Sequence, residues 1–265
     1  MVSCGKKGGS ASNTGSTDST KLENIKIDSL AFEVDTFHII EKETKCNEKE
    51  GECSICDIYY EKIKNPLMPV HDSINLYIDS LMFHALGNIS SPSLGMDFKK
   101  RANEFITQSQ DPEYGPYGSW DWSHSTSITR PVQEIMSVTS SWGGYTGGAH
   151  GSFNMETTNF FTNSGKIVRL ADLFTDLNAV NKIALVYFKK DNQLSAEMDL
   201  IDQGYDFSDE DFKVNENFDI TTESFYWQYN SYEIAPYSMG APSVKVPMKE
   251  LEKYLKVKLT EVVIK

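Results

Sequence analysis

The segment Trp142-Gly143-Gly144-Tyr145-Thr146-Gly147-Gly148-Ala149-His150-Gly151 places five glycines within ten residues, between two strand-like runs. Glycine reaches positive φ cheaply and lets another backbone or a ligand approach closely. A stretch of this composition either folds back tightly on the molecule or presents backbone to a partner. An ordinary two-residue hairpin needs nothing of the kind.

Strand-like patterning surrounds it. Residues 121–129, 132–142 and 152–162 read as strands, and Asn163-Ser164-Gly165 supplies the next tight turn before Lys166-Ile167-Val168. Upstream, Ile25, Ile27, Phe32 and Val34 alternate with polar neighbours, the period of a half-buried strand, and 53–64 reads as its hairpin partner across an acidic loop. Asn65-Pro66 ends that strand. A helix follows, capped by Asp72 or Ser73, with Ile74, Tyr77, Ile78, Leu81 and Ala85 on one face. Residues 94–108 form a second amphipathic helix with Phe98, Ala102 and Phe105 inward. Helices are expected at 170–174, 180–190 and 248–254. Further strands are expected at 218–221, 224–229, 232–235 and 244–247. Helices early and strands late argue an α+β fold, with antiparallel sheets and helices packed on them, over a doubly wound α/β one. The chain divides into a tether (1–21), an N-terminal module (22–115) and a closely associated C-terminal module (116–265) that carries the Gly-rich loop.

Charge narrows the partners. A net charge of −13 disfavours nucleic acid, which is bound through Lys and Arg on phosphates, and leaves a cationic protein as an attractive partner. No run reaches the roughly 20 apolar residues that span a bilayer. Met1-Val2-Ser3-Cys4-Gly5 resembles the cleavage region of a bacterial lipoprotein, with Cys4 as the lipidated residue. The Gly/Ser/Thr/Asn/Lys tract over 6–21 buries too little to fold and suits a flexible tether. On these features the chain is expected in the bacterial cell envelope, outside the cytoplasm and lipid-anchored.

Cys46, Cys53 and Cys56 lie close in sequence. They lack a fourth ligand for zinc, and Cys53-Ser54-Ile55-Cys56 leads into a strand instead of opening a helix. One structural disulfide is expected. Cys46–Cys53 and Cys46–Cys56 are both compatible with the spacing.

Candidate chemistry is sparse. The five histidines (His38, His71, His84, His124, His150) form no metal-binding pattern, and no Gly-x-Ser-x-Gly elbow exists. Neither a metal nor a cofactor is expected. Ser140, Ser141 or Ser152 would meet His150 only through tertiary accident, so His150 reads as a clamp on the glycine loop. Asp209, Glu210 and Asp211 read as a solvated acidic face. Trp120, Trp122, Trp142, Tyr145 and Tyr237 lie in or beside loop-like segments, where aromatic rings suit protein or sugar contacts.

Three pieces carry a family resemblance: Tyr145 to Gly151, Lys166 to Phe174, and Tyr232 to Gly240 ahead of Val244-Lys245-Val246-Pro247. Together they resemble the extracytoplasmic domain in the sensor half of RsiV-type anti-sigma factors and the N-terminal half of PdaC-type peptidoglycan deacetylases. The resemblance covers roughly 25–260 and implies an α+β fold outside the membrane. It also implies binding of lysozyme, a cationic wall-cleaving protein, as in the anti-sigma factors. The metal-dependent domain that carries deacetylation in such enzymes has no counterpart here. The expectation is a non-catalytic envelope protein that binds a lysozyme-like protein or peptidoglycan through Trp142, Tyr145, Gly147, Gly148, His150, Pro236 and Tyr237. The alternative is a hydrolase or deacetylase acting on wall glycan through His150.

Overall fold

A computed structural model describes residues 32–47, 53–64, 68–85, 98–114, 118–132 and 134–256. The tether, Cys4 and the proline that ends the second strand lie outside these residues. The fold is α+β. Strands β1 (Glu33–Lys42), β2 (Ile55–Lys64), β3 (Asp121–Val132), β4 (Ile135–Tyr145) and β5 (Ser152–Phe161) form a five-stranded sheet in sequential order. All neighbours are antiparallel except β2 and β3, which run parallel. That parallel pair joins strands from either side of residue 115 in one sheet.

Helices α1 (Pro69–Ala85) and α2 (Phe98–Ser109) complete the parallel crossover and cover one face of this sheet. Alternation in β2 turns Cys56, Ile58 and Tyr60 toward them, where they pack with Ile74, Ile78, Ala102 and Ile106. The helix opens at Pro69, earlier than the polar residues at 72 and 73 suggest. Proline suits the first helical position because that N–H has no intrahelical partner in any case. Burial of Cys56 also decides the disulfide: Cys46 bonds Cys53, and Cys56 stays a free thiol. The apolar surroundings push that thiol up to about 12, so it remains protonated.

A second core lies on the other side of β4, whose Ile135 faces it while Met136 and Val138 face the helices. It is built from β6 (Phe218–Ile220), β7 (Ser224–Gln228) and β8 (Ser243–Pro247), with α3 (Leu170–Leu173), α4 (Leu177–Asp191) and α5 (Met248–Leu251). Asp176 caps α4 by accepting the Ala179 N–H at 3.0 Å, and Val180, Ala184 and Phe188 form its buried stripe. The acidic segment 199–211 is held to α4 by a buried cation: Lys189 Nζ donates to Asp209 at 2.5 Å and to the Met198 carbonyl at 2.7 Å. Asp209 is therefore a structural anchor, while Glu210 and Asp211 are exposed.

The two cores are stitched along the outer edge of β5. Asn230 Oδ1 accepts the Met155 N–H, Asn217 Oδ1 accepts the Thr157 N–H, and Asn217 Nδ2 donates to the Met155 carbonyl. Farther along, the Val168 N–H donates to the Asn159 carbonyl and the Phe161 N–H to the Lys166 carbonyl. Residues 166–168, which follow the tight turn, are thus a short edge cover with one isolated bridge, Phe160 to Ile167. Residues 232–235, expected as a strand, form a turn instead. The Glu233 N–H donates to the Asn230 carbonyl, and Tyr232 sits at φ 67°, a conformation no strand accommodates.

Candidate functional site

The glycine-rich segment splits into two parts with different jobs. Trp142 to Tyr145 belong to β4 and β5 begins at Ser152, so the loop proper is Thr146 to Gly151. In the strand, Gly144 pairs with Trp122 of β3. A Cβ at Gly144 would lie 2.3 Å from the Asp121 carbonyl oxygen and 3.0 Å from Trp122 Cα and its ring. Glycine is required there by crowding, and the space it leaves lets the Trp122 indole stack on Trp142, with centroids 5.1 Å apart and planes at 21°. In the loop, Gly147 and Gly148 have φ of 98° and 102°, where an L side chain is strained. The Tyr145 hydroxyl donates to the Gly148 carbonyl at 2.9 Å and closes the turn.

His150 lies at the far end of this loop, next to Gly151, and is held on both ring nitrogens. Nδ1 lies 2.8 Å from the Gly151 carbonyl, which only accepts, so Nδ1 carries the proton and Nε2 accepts from the Tyr232 hydroxyl at 3.1 Å. Its ring stacks on Tyr237 at 3.9 Å and 16°, with Tyr232 5.5 Å from Tyr237. The three rings form one surface platform, on which Tyr232 is 62% and Tyr237 38% exposed. Tyr232 is one of two non-glycine residues at positive φ among the described residues. Pro236, exposed, precedes the short turn that presents Tyr237.

Of the residues proposed from sequence, Tyr145, Gly147, Gly148, His150, Pro236 and Tyr237 therefore gather around the loop. Trp142 does not. Three positions from Tyr145 on a strand, it faces the opposite side of the sheet. Trp120 is buried against Phe105. Sequence reasoning missed Tyr232, because an alternating Tyr-x-Ile pattern reads as a strand. It also missed Phe153 on β5, 51% exposed and paired with Gly143.

Trp142 lines a different feature, a cleft of about 550 Å³ with Trp122, His124, Ser140, Asn154, Glu156, Asn230 and Leu81. Register explains the grouping: His124, Trp142 and Asn154 stand opposite one another across three strands, with Ser140 beside Glu156 in the next row. His124 Nε2 and Ser140 Oγ are 2.8 Å apart. Serine 140 thus meets a histidine, though not His150. The pair lacks the rest of a nucleophilic apparatus. His124 Nδ1 has no orienting partner, and burial lowers the imidazole to about 4, which makes it a poor proton acceptor. Among the described residues, no three His, Cys, Asp or Glu side chains gather in a way that could hold a metal ion.

Residues 171–249 match the model of a family described as a protein of unknown function, DUF3298. This span runs from within α3 into α5 and includes Tyr232 and Tyr237, but not the glycine-rich segment. Among solved structures, the chain resembles a member of that family from Bacteroides fragilis, with a TM-score of 0.67 and 20% identity over 86% of this chain and 95% of that one. A DUF3298 family protein from Pseudomonas aeruginosa PAO1 gives a TM-score of 0.62 and 18% identity over 86% and 96% of the two chains. Both establish the fold. No curated protein matches the sequence.

Proposed function

We propose that this protein is a non-catalytic, lipid-anchored binding protein of the bacterial cell envelope, and that it engages a cationic, lysozyme-like protein or peptidoglycan through the Tyr232–His150–Tyr237 platform. The observation that carries the reading is Tyr232, a large exposed ring held at φ 67°. Positive φ costs a bulky residue about 1–3 kcal/mol and persists where the surroundings impose it, commonly at binding sites. Here a histidine bond on one side and the Asn230–Glu233 turn on the other fix the ring in place, so little side-chain freedom is left to lose on association. Aromatic rings of this kind supply the anchors of protein interfaces and stack on sugars. The net charge of −13 suits a basic partner, and the resemblance to lysozyme-binding anti-sigma factors points the same way.

A hydrolytic role through His150 draws no support from the geometry. Both ring nitrogens are occupied by structural partners, and neither partner is a serine hydroxyl or a carboxylate.

The test is binding of the full chain to lysozyme and to peptidoglycan fragments at low and moderate salt. Saturable binding to lysozyme that weakens with salt, and that Tyr237→Ala abolishes, is the expected outcome. Absence of binding to both ligands, or affinity unchanged in Tyr237→Ala and Tyr232→Ala, would overturn the proposal.

A further inference from the structure

The cleft on the opposite side of β4 from Tyr145 carries features that the platform reading does not use. Two of its residues, Trp122 and His124, each keep a buried ring nitrogen without a hydrogen-bond partner. His124 is 3% exposed, so this is not a surface group satisfied by bulk solvent. Buried polar atoms are nearly always paired, and two unpaired ones on residues that line a single cleft call for an explanation. The remaining polar lining is also uncommitted. Asn154 and Glu156 make no side-chain hydrogen bond among the described residues, and Asn230 uses only its carbonyl oxygen, leaving its NH₂ group over.

We infer that this cleft is a binding site for a neutral sugar ring, packed on the Trp122–Trp142 pair and hydrogen-bonded by His124, Asn154, Glu156 and Asn230. Four chemical requirements select that class. The two indoles offer flat apolar surface, which matches the C–H face of a pyranose. Trp122 Nε1 is a donor only and needs an acceptor oxygen. His124 Nδ1 donates or accepts according to which way the Ser140 hydroxyl turns, and a ligand hydroxyl satisfies either tautomer. Glu156 accepts, and the asparagine amides donate, so the ligand must offer both kinds of group. A small organic cation would satisfy Glu156 and the indole faces, yet it has no acceptor for Trp122 Nε1. An anion would meet Glu156 on a chain of net charge −13. At about 550 Å³ the cleft lies within the range of small-ligand sites, roughly 300–1,000 Å³.

The inference is independent of the platform. The probes are maltotriose, cellotriose and chitotriose, with tetramethylammonium as the cationic control, added to the full chain while tryptophan emission is followed. A saturable change with at least one of the three sugars is expected. Trp142→Ala should weaken it about tenfold or more. Asn154→Ala and Glu156→Ala, which leave the indole stack and the core intact, should weaken it as well, and they decide the matter if Trp142→Ala fails to fold. Tyr237→Ala should leave the tryptophan response to maltotriose and cellotriose unchanged, which separates this site from the platform. No response to any of the sugars up to about 10 mM would overturn the inference, that being weaker than recognition by a formed site. Saturation by tetramethylammonium alone, or sugar binding untouched in Asn154→Ala and Glu156→Ala, would overturn it equally.

Discussion

Replacing His124 by glutamine, and comparing its stability with wild type from pH 7 down to pH 5, isolates the buried His124–Ser140 pair. In the unfolded chain the imidazole takes up a proton near its ordinary 6.5, whereas burial lets the folded one do so only near 4. Between those values the unfolded state binds more protons, so stability falls as pH falls. The contribution is intact above 6.5 and fully lost below 4. Integrating between the two values gives a loss of about 2 kcal/mol from pH 7 to pH 5, and about 3 kcal/mol once the pH is below 4. Glutamine does not titrate, so subtracting the two urea-unfolding profiles cancels the carboxylates and the other histidines. The variant is expected to be less stable at pH 7, because it loses packing and the bond to Ser140, yet its profile should be flatter by that amount. Profiles that run parallel would show that His124 is protonated without penalty in the folded state. The account of a dry, neutral imidazole beneath the cleft would then be wrong.

Other perturbations follow from single contacts. Gly144→Ala forces a Cβ to within 2.3 Å of the Asp121 carbonyl, so it should cost roughly 1–3 kcal/mol in chemical denaturation and weaken the exciton signal of the stacked indoles in circular dichroism. Lys189→Met leaves Asp209 without its cation. Because that carboxylate is about one-third exposed, the loss should sit at the low end for buried pairs, about 3 kcal/mol, and Asp209→Asn in the same chain should recover part of it. Reducing Cys46–Cys53 frees a short loop and should lower stability by about 2.5 kcal/mol on the chain-entropy account. In the reduced native protein, iodoacetamide should label Cys46 and Cys53 while Cys56 reacts only after unfolding; prompt labelling of Cys56 would contradict its burial.

Local chemistry made most elements legible from the sequence. Alternation in Ile55–Lys64, the helical stripe Ile74–Ile78–Leu81 and the turn residues Asn163-Ser164-Gly165 each report an environment the segment itself creates. What escaped depends on partners far away in the chain. Glycine content made Gly143 to Tyr145 read as loop, although Gly143 and Gly144 are strand residues thinned to admit Phe153 and Trp122. Tyr232 to Ala235 alternates like a strand, but a positive φ at Tyr232 comes from the turn and the His150 bond. The cleft was invisible because it exists only in the register of β3, β4 and β5. Its traces were nonetheless present as Trp122-x-His124, Ser140-x-Trp142 and Asn154-x-Glu156, three pairs at strand spacing that each place two side chains on one face. The parallel pairing of β2 with β3 needs two intervening helices and has no local signature.

Amide side chains at the outer edge of β5 impose an order of assembly. Met155 and Thr157 satisfy their backbone groups only after Asn217 and Asn230 arrive from sixty or more residues downstream. Until the second core has folded, the five-stranded sheet ends in a bare strand with bonding groups turned outward, a template for any other extended chain. Late folding of residues 170–256, or a mutation that loosens them, would thus turn that bare edge into a nucleus for self-association. The same two asparagines that join the cores also occupy the backbone groups through which another strand would pair.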